Sequence, residues 1–199
     1  MATSVVDICN NALIRIGSKT ITSLSDGDKV ANACSAIYEQ TRDWLLRQHL
    51  WNFAITRVQL ASEDATPSFG YDYTYPLPSD YIRAKELFES SSAYKIEQSS
   101  LLTNDSTVKL VYIARITDVA KFDPLFTEAL VLSLAIRLSY ILIGSNSREQ
   151  SLKDELRQAL FLAKQVDGQD DTPDSLQSDT FLQSKWTGSW DPTKVFDGY

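Results

Sequence analysis

The sequence predicts a mainly helical α+β fold: a bundle of about four helices, a small antiparallel β-sheet inserted between helices two and three, and an extended C-terminal tail. Three observations predict it. Apolar residues recur at helical spacing before residue 51 and again between 119 and 167, and alternating apolar and polar residues fill the stretch between. A polar string carrying isolated aromatics follows. The chain accordingly divides into N-terminal helices (1–51), an inserted sheet region (52–118), C-terminal helices (119–167) and an extended arm (168–199).

The first helix opens on a capping-box pattern, Ser4 with Asp7 three residues on. Val5, Cys9, Ala12 and Ile16 then recur at helical spacing until Gly17 stops the helix. The second is expected to start near Ser25 or Asp26, where a short polar side chain meets the positive end of the helix dipole. It runs to about Gln48 with Val30, Cys34, Ile37, Thr41 and Leu45 as its core stripe. From Asn52 the period changes, and Phe53, Ile55, Val58 and Leu60 among polar neighbours read as a strand.

A loop with Pro67 and Gly70 follows. Tyr71, Tyr73 and Tyr75 then share one face if the chain is extended, and Pro76 and Pro78 restrict this piece to an edge strand or an ordered loop. Tyr81–Phe88, Ala93–Gln98 and Thr107–Ile116 are further strands, separated by serine and Asn-Asp turn clusters. The last of them is the clearest, with Val108, Leu110, Tyr112 and Ala114 alternating against Lys109, Val111, Ile113 and Arg115.

Asp123-Pro124 places a cap before a proline at the first helical position. The helix behind it, to about Ile143, is apolar nearly all round. Phe126, Leu130, Leu134 and Ile141 lie on one side and Leu132, Ala135, Leu138 and Leu142 on the other, as expected of a bundle's central helix. The last helix, Ser147–Val166, turns Leu152, Leu156, Ala159, Leu160 and Ala163 inward.

Composition narrows the function. A chain of 199 residues, 43% hydrophobic and 23% charged, is long enough to bury a sizeable core. A net charge of −7 argues against gripping nucleic-acid phosphates, whose affinity comes from Lys and Arg. No secretory apolar region opens the sequence, and the run Ala129–Ile136, bounded by Glu128 and Arg137, is too short to span a bilayer. The expectation is a protein made in the cytoplasm, with no membrane partner. Cys9 and Cys34 fall on apolar helix faces and read as buried free thiols, and one His with two distant Cys gives no metal spacing and no cofactor.

The chemistry-bearing candidates reduce to surfaces. The block RDWLLRQHLWNFAITRVQL (Arg42–Leu60) and the block YDYTYPLPSDYIR (Tyr71–Arg83) are dense in aromatics across a helix-to-extended transition, which marks Trp51, Tyr73, Tyr75 and Leu77 as subunit or tail interface. Trp44, Trp51 and Phe53 beside Arg42, Arg47 and Arg57 also fit a base-stacking platform, but no strong positive groove accompanies them. Core or subunit contact is the better account, with the arginines paired to carboxylates such as Asp43.

His49, the single histidine, has no nucleophile motif to serve and reads as a packed structural residue. The pairs Glu63–Asp64 and Glu86–Glu89 hold the two acids that glycoside cleavage needs, without evidence of its geometry. In the arm, Leu176, Phe181, Leu182, Trp186, Trp190 and Phe196 are spaced along a string too polar to form its own core, and they read as partner-binding anchors.

Taken in order, VVDICNNALIRIGS, SLSDGDKVANAC, RDWLLRQHLWNFAITR and Y-x-Y-x-L-P-x-D-Y-I-R, between residues 4 and 83, resemble the podovirus-type head-to-tail adaptor family of bacteriophages, also called tail tubular protein A or gatekeeper. The resemblance implies a non-enzymatic virion protein of the tail or neck that forms a ring, typically a dodecamer, between the portal protein and the tail nozzle protein. DNA would pass through the ring without specific binding. It also carries an alternative, a peptidoglycan hydrolase associated with the virion tail, since one member of the family is linked to cell-wall hydrolysis.

Overall fold

The computed structural model describes residues 4–63, 67–90, 92–144 and 146–170. Among them run, in order, α1 (Val5–Ile16), α2 (Lys29–Gln48), β1 (Ile55–Leu60), β2 (Tyr73–Pro76), β3 (Tyr81–Leu87), β4 (Tyr94–Glu97), β5 (Ser100–Thr103), β6 (Val108–Ala114), α3 (Pro124–Leu142) and α4 (Asn146–Gln169). Single 3₁₀ turns at Asn52–Ala54 and Val119–Lys121 join helices to strands. The fold is mixed α+β, with its strands between the second and third helices.

Local chemistry sets the helix ends. The Ser4 hydroxyl accepts from the Asp7 N–H at 3.1 Å while Asp7 accepts from the Ser4 N–H at 2.9 Å, and Gly17 closes α1 at φ 73°. The second helix starts later than expected. Asp28, not Ser25 or Asp26, is its cap, accepting from the Val30 N–H at 2.6 Å. Asp26 instead gathers the N–H groups of Thr22 and Ser23 in the preceding loop, and Gly27, at φ 72°, turns the chain between the two carboxylates.

The third helix is the organising element. Asp123 caps it through the N–H groups of Leu125 and Phe126 at 2.7 and 3.1 Å, and it packs against α1, α2 and α4. Phe126, Leu130, Leu134, Ala135 and Leu138 are fully buried, whereas Ile141, expected inward, is 43% exposed. By length and apolar composition this helix also satisfies the requirements of a bilayer span, but more than half of it is buried within the protein, as in a central core helix. The sequence run weighed for a span, Ala129–Ile136, is thus only part of a longer apolar helix.

Two sheets replace the single one expected. Both have three antiparallel strands, in the orders β1-β6-β3 and β2-β5-β4. Their inner faces meet around Tyr75, Leu101, Leu110 and Tyr112, while Ile113 and Ile82 on the opposite face of the first sheet join the helical core. The central strand β6 is therefore covered on both sides, and Val111 is 1% exposed. Of the two readings of the tyrosine-proline piece, edge strand or ordered loop, the structure has the edge strand, with Tyr75 opposite Leu101 and Pro76 opposite Ser100.

Candidate interaction site

The aromatic block at the end of α2 divides into an inner and an outer part. Trp51 is 1% exposed. Its indole N–H donates to the Leu45 carbonyl at 3.0 Å, and its ring meets Phe126 edge-on at 5.2 Å between centroids. Phe53, Phe122 and Phe126 extend the cluster with centroid separations of 4.9 to 6.0 Å. Tyr75 is likewise 1% exposed and donates its hydroxyl to the Asp105 carbonyl at 2.8 Å.

The expectation that Trp51 and Tyr75 offer interface surface is therefore corrected. Both close the chain's own core, because each finds its polar partner and its ring contacts within reach of its own backbone. Tyr73 and Leu77 are half-buried against the same inter-sheet cluster, their remaining surface open.

His49 has a structural role. Its Nε2 lies 2.8 Å from Asp167, whose other carboxylate oxygen accepts from the Asn52 N–H at 3.0 Å and whose carbonyl accepts from the Asn52 amide at 2.6 Å. The imidazole stands edge-on to Trp51 at 4.9 Å. These contacts tie the last turn of α4 to the base of β1. No sequence signal singled out Asp167, which sits where the composition turns polar.

The arginines of the block separate in the same way. Arg42 is buried and pairs with Asp43 at 2.8 Å, which also accepts from the Arg115 Nε at 2.9 Å, so the predicted carboxylate serves two cations. Arg47 donates to the Ile82 carbonyl at 2.5 Å, and Arg57 stands exposed on the first sheet. Of the carboxylate pairs, Glu89 is bound to Lys109 and Glu86 lies opposite Val111 on β3, while Asp64 is outside the described residues. Cys9 and Cys34 are buried free thiols in mutual contact. A hydrogen bond to Cys34, together with burial, holds the Cys9 thiol far above its ordinary pKa. Among the described residues, no group of three or more His, Cys, Asp or Glu is placed to hold a metal.

Two apolar faces remain on the outside of the helices. One combines Trp44 of α2 with Tyr140 and Ile141 of α3, exposed by 41, 76 and 43%. It borders a cleft lined by Ile37, Ile136, Arg137 and Glu149, and the Arg137 guanidinium lies 5.9 Å from the centroid of the Trp44 ring. The other is carried by α4, where Leu162 and Val166, exposed by 50 and 36%, share a flank from which Phe161, exposed by 66%, is turned by roughly 100°.

These faces belong to different flanks of α4. Glu149 borders the first; Glu155, from which Arg15 of α1 draws an ion pair at 3.4 Å, shares the flank of Leu162. The two glutamates are separated by roughly 120° of helix rotation. Sequence reasoning missed Tyr140 and Phe161, although Phe161 and Leu162 fall outside the inward stripe of their helix and were open to detection on that ground. The anchors Leu176, Phe181, Leu182, Trp186, Trp190 and Phe196 lie outside the described residues. No family model matches this sequence, and no curated protein matches it.

Proposed function

We propose that this chain is a ring-forming structural protein of a bacteriophage virion, an adaptor that joins the portal to the tail nozzle and extends the DNA channel. The observation that carries the proposal is the pair of separate apolar faces, Trp44–Tyr140–Ile141 and Leu162–Val166, on different flanks of the helices. A head-to-tail contact between copies uses two different patches, and such contacts close into a ring when the rotation permits. The block order between residues 4 and 83 supports the same reading.

In this proposal the helices form a bundle that builds the subunit walls, and the residues that follow α4 form an extended arm. The arm's anchors grip the portal or a neighbouring subunit, and the sheets face the tail. A net charge of −7 suits a passage through which DNA slides without cationic traps. Repetition around the axis lets modest pairwise contacts hold the assembly. The packing of His49 against Trp51 and its bond to Asp167 favour this reading over a tail-associated peptidoglycan hydrolase.

The test is electron microscopy of the purified chain, alone and mixed with its portal. Rings, dodecameric if the resemblance holds, are expected either alone or on the portal. A monodisperse monomer under both conditions that degrades peptidoglycan would overturn the proposal.

A further inference from the structure

Each of the two sheets ends on two edge strands, and three of these edges carry a feature that opposes further pairing. Along β3, Arg47 of α2 donates to the Ile82 carbonyl, the Tyr81 hydroxyl accepts from the Ala84 N–H at 2.8 Å, and two register shifts interrupt the ladder. Strand β2 ends in Pro76, and its Thr74 carbonyl accepts from the Glu63 N–H at 2.8 Å. Strand β4 carries Lys95 and Glu97 in an ion pair at 2.6 Å. The fourth edge, β1, differs. It pairs with β6 without a register shift over Ile55–Leu60, holds one charge and no proline, and has no strand on its outer side among the described residues.

We propose that in the free protein two copies pair antiparallel through this edge, β1 on β1, about a two-fold axis normal to the sheet. That symmetry keeps every side chain on its own face, so opposite residues share a face and only alternate registers are allowed. With the axis at Val58, Val58 meets Val58 of the second copy, Arg57 meets its Gln59, and Thr56 meets its Leu60. Val58 and Leu60 already pack on the inter-sheet apolar cluster, which the pairing prolongs from one copy into the next. On the opposite face Arg57 and Gln59 stand exposed, and each guanidinium gains a side-chain carbonyl to bond.

The adjoining registers are poorer. An axis at Arg57 sets two guanidinium groups directly against each other. An axis at Gln59 carries Ile55 and Thr56 past the end of the facing strand, which stops at Leu60. A two-fold contact of this kind joins one copy to one other. It lies apart from the helical faces and does not rest on the adaptor reading.

The test uses two full-length variants, Arg57→Cys and Gln59→Cys, both at exposed positions, with the native thiols Cys9 and Cys34 buried. Each variant is exposed to oxidised glutathione alone and in an equimolar mixture, after circular dichroism has matched it to the parent chain. The two new thiols face each other only in the mixed pair. Expected is a disulfide-linked dimer that forms in the mixture on the order of ten times faster than in either variant alone.

Charge variants at the same position give a second reading by sedimentation equilibrium at low salt, and they carry the comparison if a cysteine variant misfolds. Gln59→Glu opposes a carboxylate to Arg57 of the second copy and is expected to tighten the dimer about fivefold, and Gln59→Arg to loosen it about as much. No dimer of the parent chain, equal rates in the mixture and in the single variants, or charge variants that move association in the same direction or not at all would each overturn the proposal. Rings are read separately by electron microscopy, so the two proposals fail independently.

Discussion

Trp44 and Trp51 stand in one continuous aromatic block, and the regions around them are built in opposite ways. Around Trp51 the polar groups find partners inside the chain: the indole has the Leu45 carbonyl, His49 Nε2 has Asp167, and the ring packs against Phe53 and Phe126. Around Trp44 the indole lies open under an arginine, with Tyr140 and Ile141 exposed nearby. The difference teaches that aromatic density marks a contact-rich region without saying whose contacts. The backbone decides, since α2 ends at Gln48 and the turn that follows swings Trp51 beneath α3.

The comparison breaks first at its inner member. Trp51→Ala removes a buried ring and its hydrogen bond and is expected to cost about 3–5 kcal/mol in urea unfolding. A cost near that of an exposed site would remove Trp51 from the core. Asp167→Ala, which strips His49 and the Asn52 backbone N–H of their carboxylate partner but leaves the Asn52 amide on the residue's carbonyl, is expected to cost about 1–3 kcal/mol and to raise hydrogen exchange at Asn52. Tyr75→Phe, losing one hydroxyl bond to Asp105, is expected to cost about 0.5–1.5 kcal/mol by thermal unfolding.

On the outer member the sign of interest changes. Trp44→Ala and Tyr140→Ser are expected to shift stability by less than about 0.5 kcal/mol while abolishing rings seen by electron microscopy. Unchanged rings would detach that face from assembly. The smallest effect is pH-gated. The hydroxyls of Ser90 and Ser92 hold the Asp105 carboxyl below its ordinary value of 3.8. A depressed carboxylate stabilises the fold above that value and loses its contribution as the pH falls through the lower, folded one. Asp105→Asn should therefore be the less stable form at neutral pH, with the gap to the parent chain closing in acid.

The legibility of the sequence follows the same division. Signals that act within a few residues were readable: the Ser4–Asp7 box, Gly17, the Asp123-Pro124 start and the all-round apolar α3. The start of α2 was not, because Ser25, Asp26 and Asp28 are equally good caps by type and only the turn at Gly27 selects among them. Strand β5 is four residues long between turn clusters and has no period to detect. The double cover of β6 depends on a second sheet from distant strands, which its alternating pattern does not reveal. Within the candidate surfaces, the block was found but its inner and outer halves were not distinguished, and Asp167 became meaningful only through His49 and Asn52.

The fastening at Asp167 also determines how mechanical load enters the molecule. Traction on the polypeptide beyond Asp170 meets, within one helical turn, three hydrogen bonds into His49 and Asn52. Beyond the last residues of α4 the pull reaches the root of β1 through these bonds, and β1 is paired along its length with β6. A tether fixed in this way shares its load between the last helix and the sheet.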